Sequence, residues 1–415
     1  MNTLLASNKE KKGKKIKLLF VIESLALAGS EKSLIALLSN LDADLYDIDL
    51  QLFNYGGELE RFIPKHVTIL KRLEFNKFAS SSLTKNLKDT IFKRKFSFFR
   101  AKMSYSFSLR MKKRNHHEIA KMYWQKSNAA YDISMKEYDV AIAYAQGLPT
   151  FYVMDKIIAK KKITWVNANV DFEGTVKDYQ EKYYRKFDAV VAVSDGTKVH
   201  QTNIFPQLKL KYRVINDIID YKKMGEMAEL YETPMSNDEF NILTVSRLVD
   251  GMKGMDIMIE VCKLLYDRGL KFHWYILGKG PFRDEMEVFF KKNNLEEVVT
   301  LIGTKNNPYP YYLAADLYVQ TSRNESYGMS IAEARLLDLP VVTTRFDTVF
   351  TQMLDGKNGL VTDMNPEAVA NAIERMMNDN DLYNAIVEYL KQEQKENLES
   401  VEKFDALIEE LLGTI

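Results

Sequence analysis

The strongest constraint in this sequence is the alternation of short apolar runs with helical patterns along its whole length. Thirteen runs read as strands, at 17–22, 48–53, 67–70, 140–144, 163–166, 189–193, 212–215, 241–245, 272–277, 298–301, 317–320, 340–343 and 359–361. Many are apolar at both odd and even positions, as in parallel strands covered on both faces. Helical periodicity fills the intervals, for instance over 30–41, 256–265 and 366–377. Alternating strands and helices imply parallel sheets with right-handed crossovers. Thirteen strands exceed one such sheet, so the 415 residues read as two doubly wound α/β domains. The break falls in 220–240, a polar segment with Pro234 and no strand pattern. The first domain is expected over 1–220 and the second over 221–395. A terminal helix over 396–415 is placed to pack back on the first.

The single cysteine, Cys262, excludes a disulfide within the chain and a cysteine metal cluster. Its apolar helical neighbours Ile257, Ile259, Val261 and Leu265 predict a buried structural thiol. No window approaches the roughly 18 uncharged apolar residues of a membrane span. The Lys-rich start, 1–17, precedes only about seven apolar residues, fewer than a signal-peptide core, and reads as a flexible tail. A soluble, cytosolic α/β protein is the expected class.

Candidate chemistry sits where strands hand over to helices. After the first strand, Ser24–Gly29 leads into a helix, and Gly29 lets backbone amides approach a ligand at a helix N-terminus. The dinucleotide fingerprint G-x-G-x-x-G is absent, so NAD binding has little support. The most informative stretch is Thr321-Ser-Arg-Asn-Glu-Ser-Tyr-Gly-Met-Ser-Ile-Ala-Glu-Ala-Arg335. It leaves a strand near Gln320 and re-enters a helix at 329–337. Glu325 lies in the loop and Glu333 about a turn into the helix, so the two carboxylates address one ligand at two points. Between them lie first-turn amides with no intrahelical partner, a seat for phosphate. Acceptors for hydroxyls beside donors for phosphate meet the needs of a sugar nucleotide.

Two further connections lie at strand ends of the same half. Ser246-Arg-Leu-Val-Asp-Gly-Met-Lys-Gly-Met-Asp256 carries Arg247 and Lys253, cations suited to a diphosphate leaving group. Leu277-Gly-Lys-Gly-Pro281 adds glycines and a proline at a helix start. Each alone is also ordinary loop chemistry; three at successive strand ends of one domain are hard to attribute to chance.

With these motifs the chain resembles the family 4 retaining glycosyltransferases of the GT-B fold, two Rossmann-like domains facing a cleft. The likeness rests on the Glu325/Glu333 pair within N-E-S-Y-G-M-S-I-A-E-A, on S-R-L…K-G at 246–254, and on L-G-K-G-P. The D-G-K-N-G-L-V turn at 355–361 and A-G-S-E-K-S-L after the first strand also match. It extends over nearly the whole chain, more tightly in the second half, and is nearest to bacterial transferases that assemble capsular or exopolysaccharide repeat units. The resemblance implies that Arg247 and Lys253 contact the donor diphosphate, that Glu333 holds the ribose hydroxyls, and that Glu325 contacts the donor sugar. Arg247, Lys253 and Glu325 are thus the catalytic candidates. Gly278, Tyr327, Gly328, Met329 and Ser330 border the phosphates or sugar, Thr304 and Lys305 border the base, and Gly29 lets the first domain close over the donor. The implied reaction retains anomeric configuration by front-face attack, with the departing phosphate taking the acceptor's proton. No metal or other cofactor is implied.

The sequence departs from the family pattern in three places. The Arg–Lys spacing is one residue longer, through Asp250-Gly251. Asp347-Thr348 stand where many members carry Gly-Gly. Asn167 stands where many carry a histidine facing the reacting sugar, and asparagine does not titrate. Asn167 is therefore only an acceptor-side candidate, and a non-catalytic GT-B subunit is the alternative. Asp42-Ala-Asp44 and Asp47-Ile-Asp49 imitate a metal-binding D-x-D but are expected to be solvated loop and strand edge. The five histidines show no metal spacing, and the adjacent pair His116-His117 is expected to be exposed.

The net charge of +1 conceals a polarised distribution. Residues 71–126 hold 16 Lys and Arg against three acids (Glu74, Asp89, Glu118), a local +13 that leaves −12 for the rest. Ten aromatics share the stretch, among them Phe92, Phe96, Phe98, Phe99, Phe107 and Trp124. Cations with exposed rings suit an anionic membrane surface. The alternatives are a helical insertion whose rings pack inward, or an electrostatic nucleic-acid contact; no nucleic-acid module is recognisable. The expectation is a cytoplasmic enzyme, peripheral on the membrane's inner face. It would move a hexose-type sugar from a nucleotide diphosphate, UDP-linked by preference, to a glycan or lipid-linked glycan acceptor.

Overall fold

The computed structural model describes residues 14–26, 28–82, 96–111, 116–236, 238–393, 395 and 399–413. Side chains are described throughout these except at 107–111 and 116. Thirteen strands form among the described residues, each overlapping an expected run: β1 Ile16–Ile22, β2 Tyr46–Leu52, β3 Val67–Ile69, β4 Glu137–Ala143, β5 Ile158–Val166, β6 Ala189–Ala192 and β7 Tyr212–Val214, then β8 Phe240–Val245, β9 Phe272–Leu277, β10 Val299–Gly303, β11 Leu317–Gln320, β12 Val341–Thr344 and β13 Gly359–Thr362. They pair into two all-parallel sheets, ordered β3-β2-β1-β4-β5-β6-β7 and β10-β9-β8-β11-β12-β13. The strand order reverses between β1 and β4 in one sheet and between β8 and β11 in the other. At such switch points neighbouring connections diverge to opposite faces and open a crevice at the strands' carboxyl ends.

The two-sided apolar strands are covered as their composition requires. In the first sheet Leu18, Phe20 and Ile22 face one core, while Leu19 and Val21 face the other with Ala141 and Ala143. In the second, Ile242, Trp274 and Val319 face one layer, and Leu243, Tyr275 and Tyr318 face the opposite one. Cys262 is fully buried. The last helix, Glu399–Leu412, crosses back to the first domain. Phe404 stacks on Phe20 at 5.8 Å between ring centroids, with Val401, Leu407 and Ile408 in the same core. The Tyr46 hydroxyl donates to Asp405 Oδ1 at 2.7 Å.

The basic stretch is helical where described, in Glu74–Ala79, Phe96–Met111 and His116–Ser127. Its rings do not behave as expected for membrane insertion. Phe75, Phe78 and Trp124 are buried, and Phe98, Tyr105 and Tyr123 pack edge-on or tilted against them or one another. Only Phe96 is strongly exposed among the described rings of this stretch. Burial of these faces against the first sheet outcompetes exposure, so inward packing replaces insertion for Phe75, Phe78, Phe98, Tyr105, Tyr123 and Trp124. Phe92 and the Phe107 side chain lie outside the described residues. His117 rests on the Phe172 ring at 5.1 Å rather than standing free; the His116 side chain lies outside the description. Asp49 also departs from expectation. It is buried mid-strand, where Lys136 Nζ and the Tyr138 hydroxyl both donate to it at 2.6 Å. No helix among the described residues is long and apolar enough to cross a membrane.

Candidate active site

The second sheet's switch point explains how Lys253 and Glu325 meet across 72 positions. β8 and β11 are neighbours, so the connections leaving them run side by side. The two loops are fastened at several points. Arg323 grips Asp256 with two parallel hydrogen bonds of 2.7 and 2.6 Å, and its amide donates to Met252 O. This pairing holds the Asp256 carboxyl below the usual carboxylate range. The Thr321 hydroxyl donates to Gly254 O at 2.8 Å. Gly254 has φ +61°, and a Cβ there would lie 1.9 Å from Thr321 O. Only glycine permits this approach.

Lys253 Nζ thereby reaches Glu325 Oε1 at 2.6 Å. Gln320 Nε2 and Ser322 Oγ donate to the same oxygen at 2.9 and 2.7 Å. Oε2 of Glu325 has no hydrogen bond to any described residue. The lengthened Arg–Lys spacing is absorbed by a turn in which Gly251 takes φ +75° and its amide donates to Asp250 Oδ1. Arg247, at the loop's start, is exposed and makes no ion pair among the described residues. Gly278 has a backbone role. A Cβ there would lie 1.8 Å from Ser246 O, so it lets the loop after β9 abut the one after β8. Thr304 and Lys305 stand exposed beyond β10.

Gly328, at φ +83°, caps the helix Met329–Leu336. The first-turn amides of Met329 and Ser330 have no intrahelical partner and look along the helix axis. Inside this helix Glu333 is 1% exposed. The Tyr309 hydroxyl donates to its Oε1 at 3.2 Å and the Tyr312 hydroxyl to Oε2 at 3.1 Å. Burial and the Glu333 charge push both phenols well above their ordinary range.

The first domain closes over this surface. Gly29 opens the helix Gly29–Asn40, and a Cβ there would lie 2.7 Å from Met329 Cγ. Glu31 steadies the helix entry, accepting from Ser24 Oγ at 2.9 Å and Ala28 N at 3.0 Å. Lys32 Nζ crosses to Glu333 Oε1 at 2.5 Å. Tyr327 packs against the cores of both domains. The peptide at 325–326 is held from both sides. The Thr348 hydroxyl donates to Glu325 O at 2.7 Å, Ser194 Oγ to Ser326 O at 2.8 Å, and Asn169 N to Ser326 Oγ at 2.9 Å. Thr348 is thus an anchor where Gly-Gly is common in the family.

Asn167, the acceptor-side candidate, is held by one end of its amide. Its Nδ2 donates to Tyr144 O at 2.7 Å, which ties the side chain to the backbone beyond β4. Asn169, two residues on, is the residue of this segment that touches the Glu325 loop. Sequence reasoning also missed Lys32, Tyr309, Tyr312, Gln320 and Ser322. Lys32 stood inside the A-G-S-E-K-S-L motif; the tyrosines carried no signal, because a Tyr-rich helix reads as core.

Residues 231–393 match the family model of glycosyl transferases group 1. The second domain belongs to that family. Among curated relatives of this group 1 glycosyltransferase domain is a Campylobacter jejuni N-acetylgalactosamine-N,N'-diacetylbacillosaminyl-diphospho-undecaprenol 4-alpha-N-acetylgalactosaminyltransferase. It is 28% identical over 204 residues, 49% of this chain and 54% of that protein. A lipopolysaccharide core biosynthesis glycosyltransferase of Rhizobium meliloti is 28% identical over 50% of this chain and 58% of its own. The chain spans about half the length of these curated relatives. The fold likeness covers both domains. The Anabaena protein HepE, solved in complex with UDP-glucose, is similar over 96% of this chain and 100% of its own, with TM-score 0.68 and 17% identity. The fold is therefore GT-B, with the group 1 glycosyltransferase domain as its second half.

Proposed function

We propose that this protein is a retaining glycosyltransferase of polysaccharide or glycolipid assembly. It takes a hexose-type sugar from a nucleotide diphosphate donor, UDP-linked by preference, and delivers it to a lipid-linked glycan. The observation that carries the proposal is the convergence of Lys253, Glu325 and Glu333 on the N-terminus of the helix Met329–Leu336. In this reading Glu333 receives the ribose diol, Glu325 Oε2 receives a sugar hydroxyl, and the amides of Met329 and Ser330 receive phosphate. Arg247 and Lys253 neutralise the diphosphate as the bond from the anomeric carbon to its oxygen breaks. The departing oxygen takes the acceptor's proton, so the protein need supply no titrating base, which is compatible with Asn167. With two cations on the leaving group the proposal assigns no metal; undiminished transfer in a chelator is its expectation. The donor assignment draws support from HepE, whose complex holds UDP-glucose, and the acceptor assignment from the Campylobacter relative's diphospho-undecaprenol substrate.

The N-terminal domain takes the acceptor. Its +13 stretch at 71–126 brings it to an anionic bilayer by charge rather than by ring insertion. Co-sedimentation with phosphatidylglycerol vesicles, lost at high salt and absent with neutral vesicles, is the expected result. Retention on oligonucleotides instead would favour nucleic acid.

The central test is isothermal calorimetry with nucleotide diphosphates. Glu333→Ala should weaken binding by about tenfold or more, the loss from truncating a charged hydrogen-bond acceptor. Unchanged affinity would remove the basis of the assignment. Sugar transfer or donor hydrolysis by the isolated chain would exclude a non-catalytic subunit.

A further inference from the structure

Glu325 is held at two levels, and the two come from different domains. Its carboxylate is tethered within the second domain, where Lys253, Gln320 and Ser322 all donate to Oε1. Its peptide is held otherwise. Among the described residues neither Glu325 O nor Ser326 O accepts from a backbone amide. Ser326 O takes the Ser194 hydroxyl at 2.8 Å and the Thr197 hydroxyl at 3.4 Å, both from the first domain. Asn169, also of the first domain, donates through its backbone N to Ser326 Oγ at 2.9 Å and through Nδ2 to Glu325 O at 3.4 Å. Among the described residues the second domain supplies one donor to these carbonyls, the Thr348 hydroxyl, 2.7 Å from Glu325 O.

Thr348 is itself seated by the first domain. Ser194 caps the helix Asp195–Ile204, accepting from Thr197 N at 3.0 Å, and the first turn of that helix presses on Thr348. A Cβ at Gly196 would lie 2.4 Å from Thr348 Cγ2 and 3.2 Å from its Cβ. With a side chain at 196, either Thr348 turns or the helix withdraws. Turning Thr348 moves the hydroxyl that holds Glu325 O; withdrawing the helix takes Ser194 from Ser326 O. Alanine is the better helix former, so the glycine answers to this seam and not to the helix it lies in. The bulk at 348 is matched by the lack of it at 196. Ser194, Thr197 and Thr348 are all buried, so water does not replace these bonds when they break.

We propose that Asn169, Ser194 and Gly196 are positioning residues for the reaction: from the first domain they set the peptide at 325–326, and with it the direction of Glu325 toward the donor sugar. The inference rests on the reading that Glu325 contacts that sugar. Closure of the first domain over the donor then completes the sugar side of the site. Glu333 and the amides of Met329 and Ser330, which that reading gives to the nucleotide, belong to the second domain. Damage to the seam should therefore appear in turnover and not in nucleotide affinity. Misplacing a reacting group by about 1 Å costs on the order of 100-fold in rate.

The test uses the full chain with Gly196→Ala, Thr348→Gly, the two combined, and Ser194→Ala. Calorimetry with uridine, guanosine and adenosine diphosphates reads nucleotide affinity, and release of sugar from the hexose esters of the nucleotide that binds reads turnover. Gly196→Ala and Ser194→Ala should each lower kcat by about tenfold or more, with affinity for the nucleotide diphosphate changed by less than about threefold. Returning the space should rescue: the combined variant should turn over about fivefold faster or more than Gly196→Ala alone, a coupling that independent sites do not show. Thermal melts of the same proteins need no donor. Gly196→Ala should lower the melting temperature by about 2 °C or more beside Thr348, and should not lower it in the Thr348→Gly background. A merely structural seam would show this coupling in the melts without separating kcat from affinity. Absence of coupling in the melts overturns the proposal, as does a loss of nucleotide affinity as large as the loss of turnover. Should Gly196→Ala misfold, Ser194→Ala decides by the same separation of kcat from affinity. If the wild type releases no sugar from any of these esters, the glycosyltransferase reading fails and this inference with it. If the wild type turns over and the seam variants match it, only this inference fails.

Discussion

Lys253 Nζ lies 2.6 Å from Glu325 Oε1, with each side chain about one-seventh exposed, so the pair is a shielded charge contact rather than a surface one. Its geometry is set by two connections that leave adjacent strands, β8 and β11, and are laced together by Arg323–Asp256 and Thr321–Gly254. Lys253→Ala removes the cation that the proposed function assigns to the leaving group. Turnover should fall by about 100-fold or more, with little change in the donor KM. Glu325 would also lose its counter-charge, at a stability cost of about 3 kcal/mol. Steady-state kinetics beside thermal melts separate the two effects.

Gly254→Ala should disable the same site without touching a charge. The backbone sits at φ +61° and the new methyl would collide with Thr321 O. The expected cost is above about 2 kcal/mol, visible as a melting temperature lower by about 5 °C or more. Loss of nucleotide binding should accompany it, read by calorimetry.

Asp217 supplies a pH test. It is buried at the end of the first sheet, hydrogen-bonded to Ser33, and burial pushes its carboxyl up to about 6 from an ordinary 3.8. The folded state therefore binds its proton more tightly than the unfolded chain. This contribution to stability is fully present below the unfolded pKa and is lost as pH rises through about 6. Asp217→Asn keeps the side chain's shape without the charge. It should melt higher than the wild type at pH 8, by the equivalent of roughly 2–3 kcal/mol, and the advantage should vanish near pH 4. Equal melting at pH 8 would count against the shift.

Phe404→Ala tests the return of the last helix to the first domain. The ring is fully buried between Phe20, Tyr46 and Trp165. Truncation should cost about 3–5 kcal/mol, seen in urea melts. The effect should fall on the first domain's transition, although residue 404 follows the second domain in sequence.

Local pattern carried much of this protein. Two-sided apolar runs between helical stretches mark β1 to β13, because a parallel strand must bury both faces wherever it lies. Glu325, Gly328 and Glu333 were legible because one loop and one helix turn hold them together. Lys253 was legible as a residue, but its contact with Glu325 depended on β8 lying beside β11. The rest required the assembled chain. Nothing local distinguishes rings that face a bilayer from rings that face a core, so Phe75 and Trp124 read ambiguously until the sheet covered them. Asn167 and Asn169 are equivalent in the sequence; only the direction of the backbone after β5 turns one to Tyr144 and the other to Ser326. Lys32 and Glu333 are 301 positions apart, on different domains. The sequence by itself determined the elements and the chemistry each could offer, since those follow from short-range periodicity and side-chain type. The tertiary structure decided which groups meet, since a contact across the cleft depends on how the two sheets are set against each other.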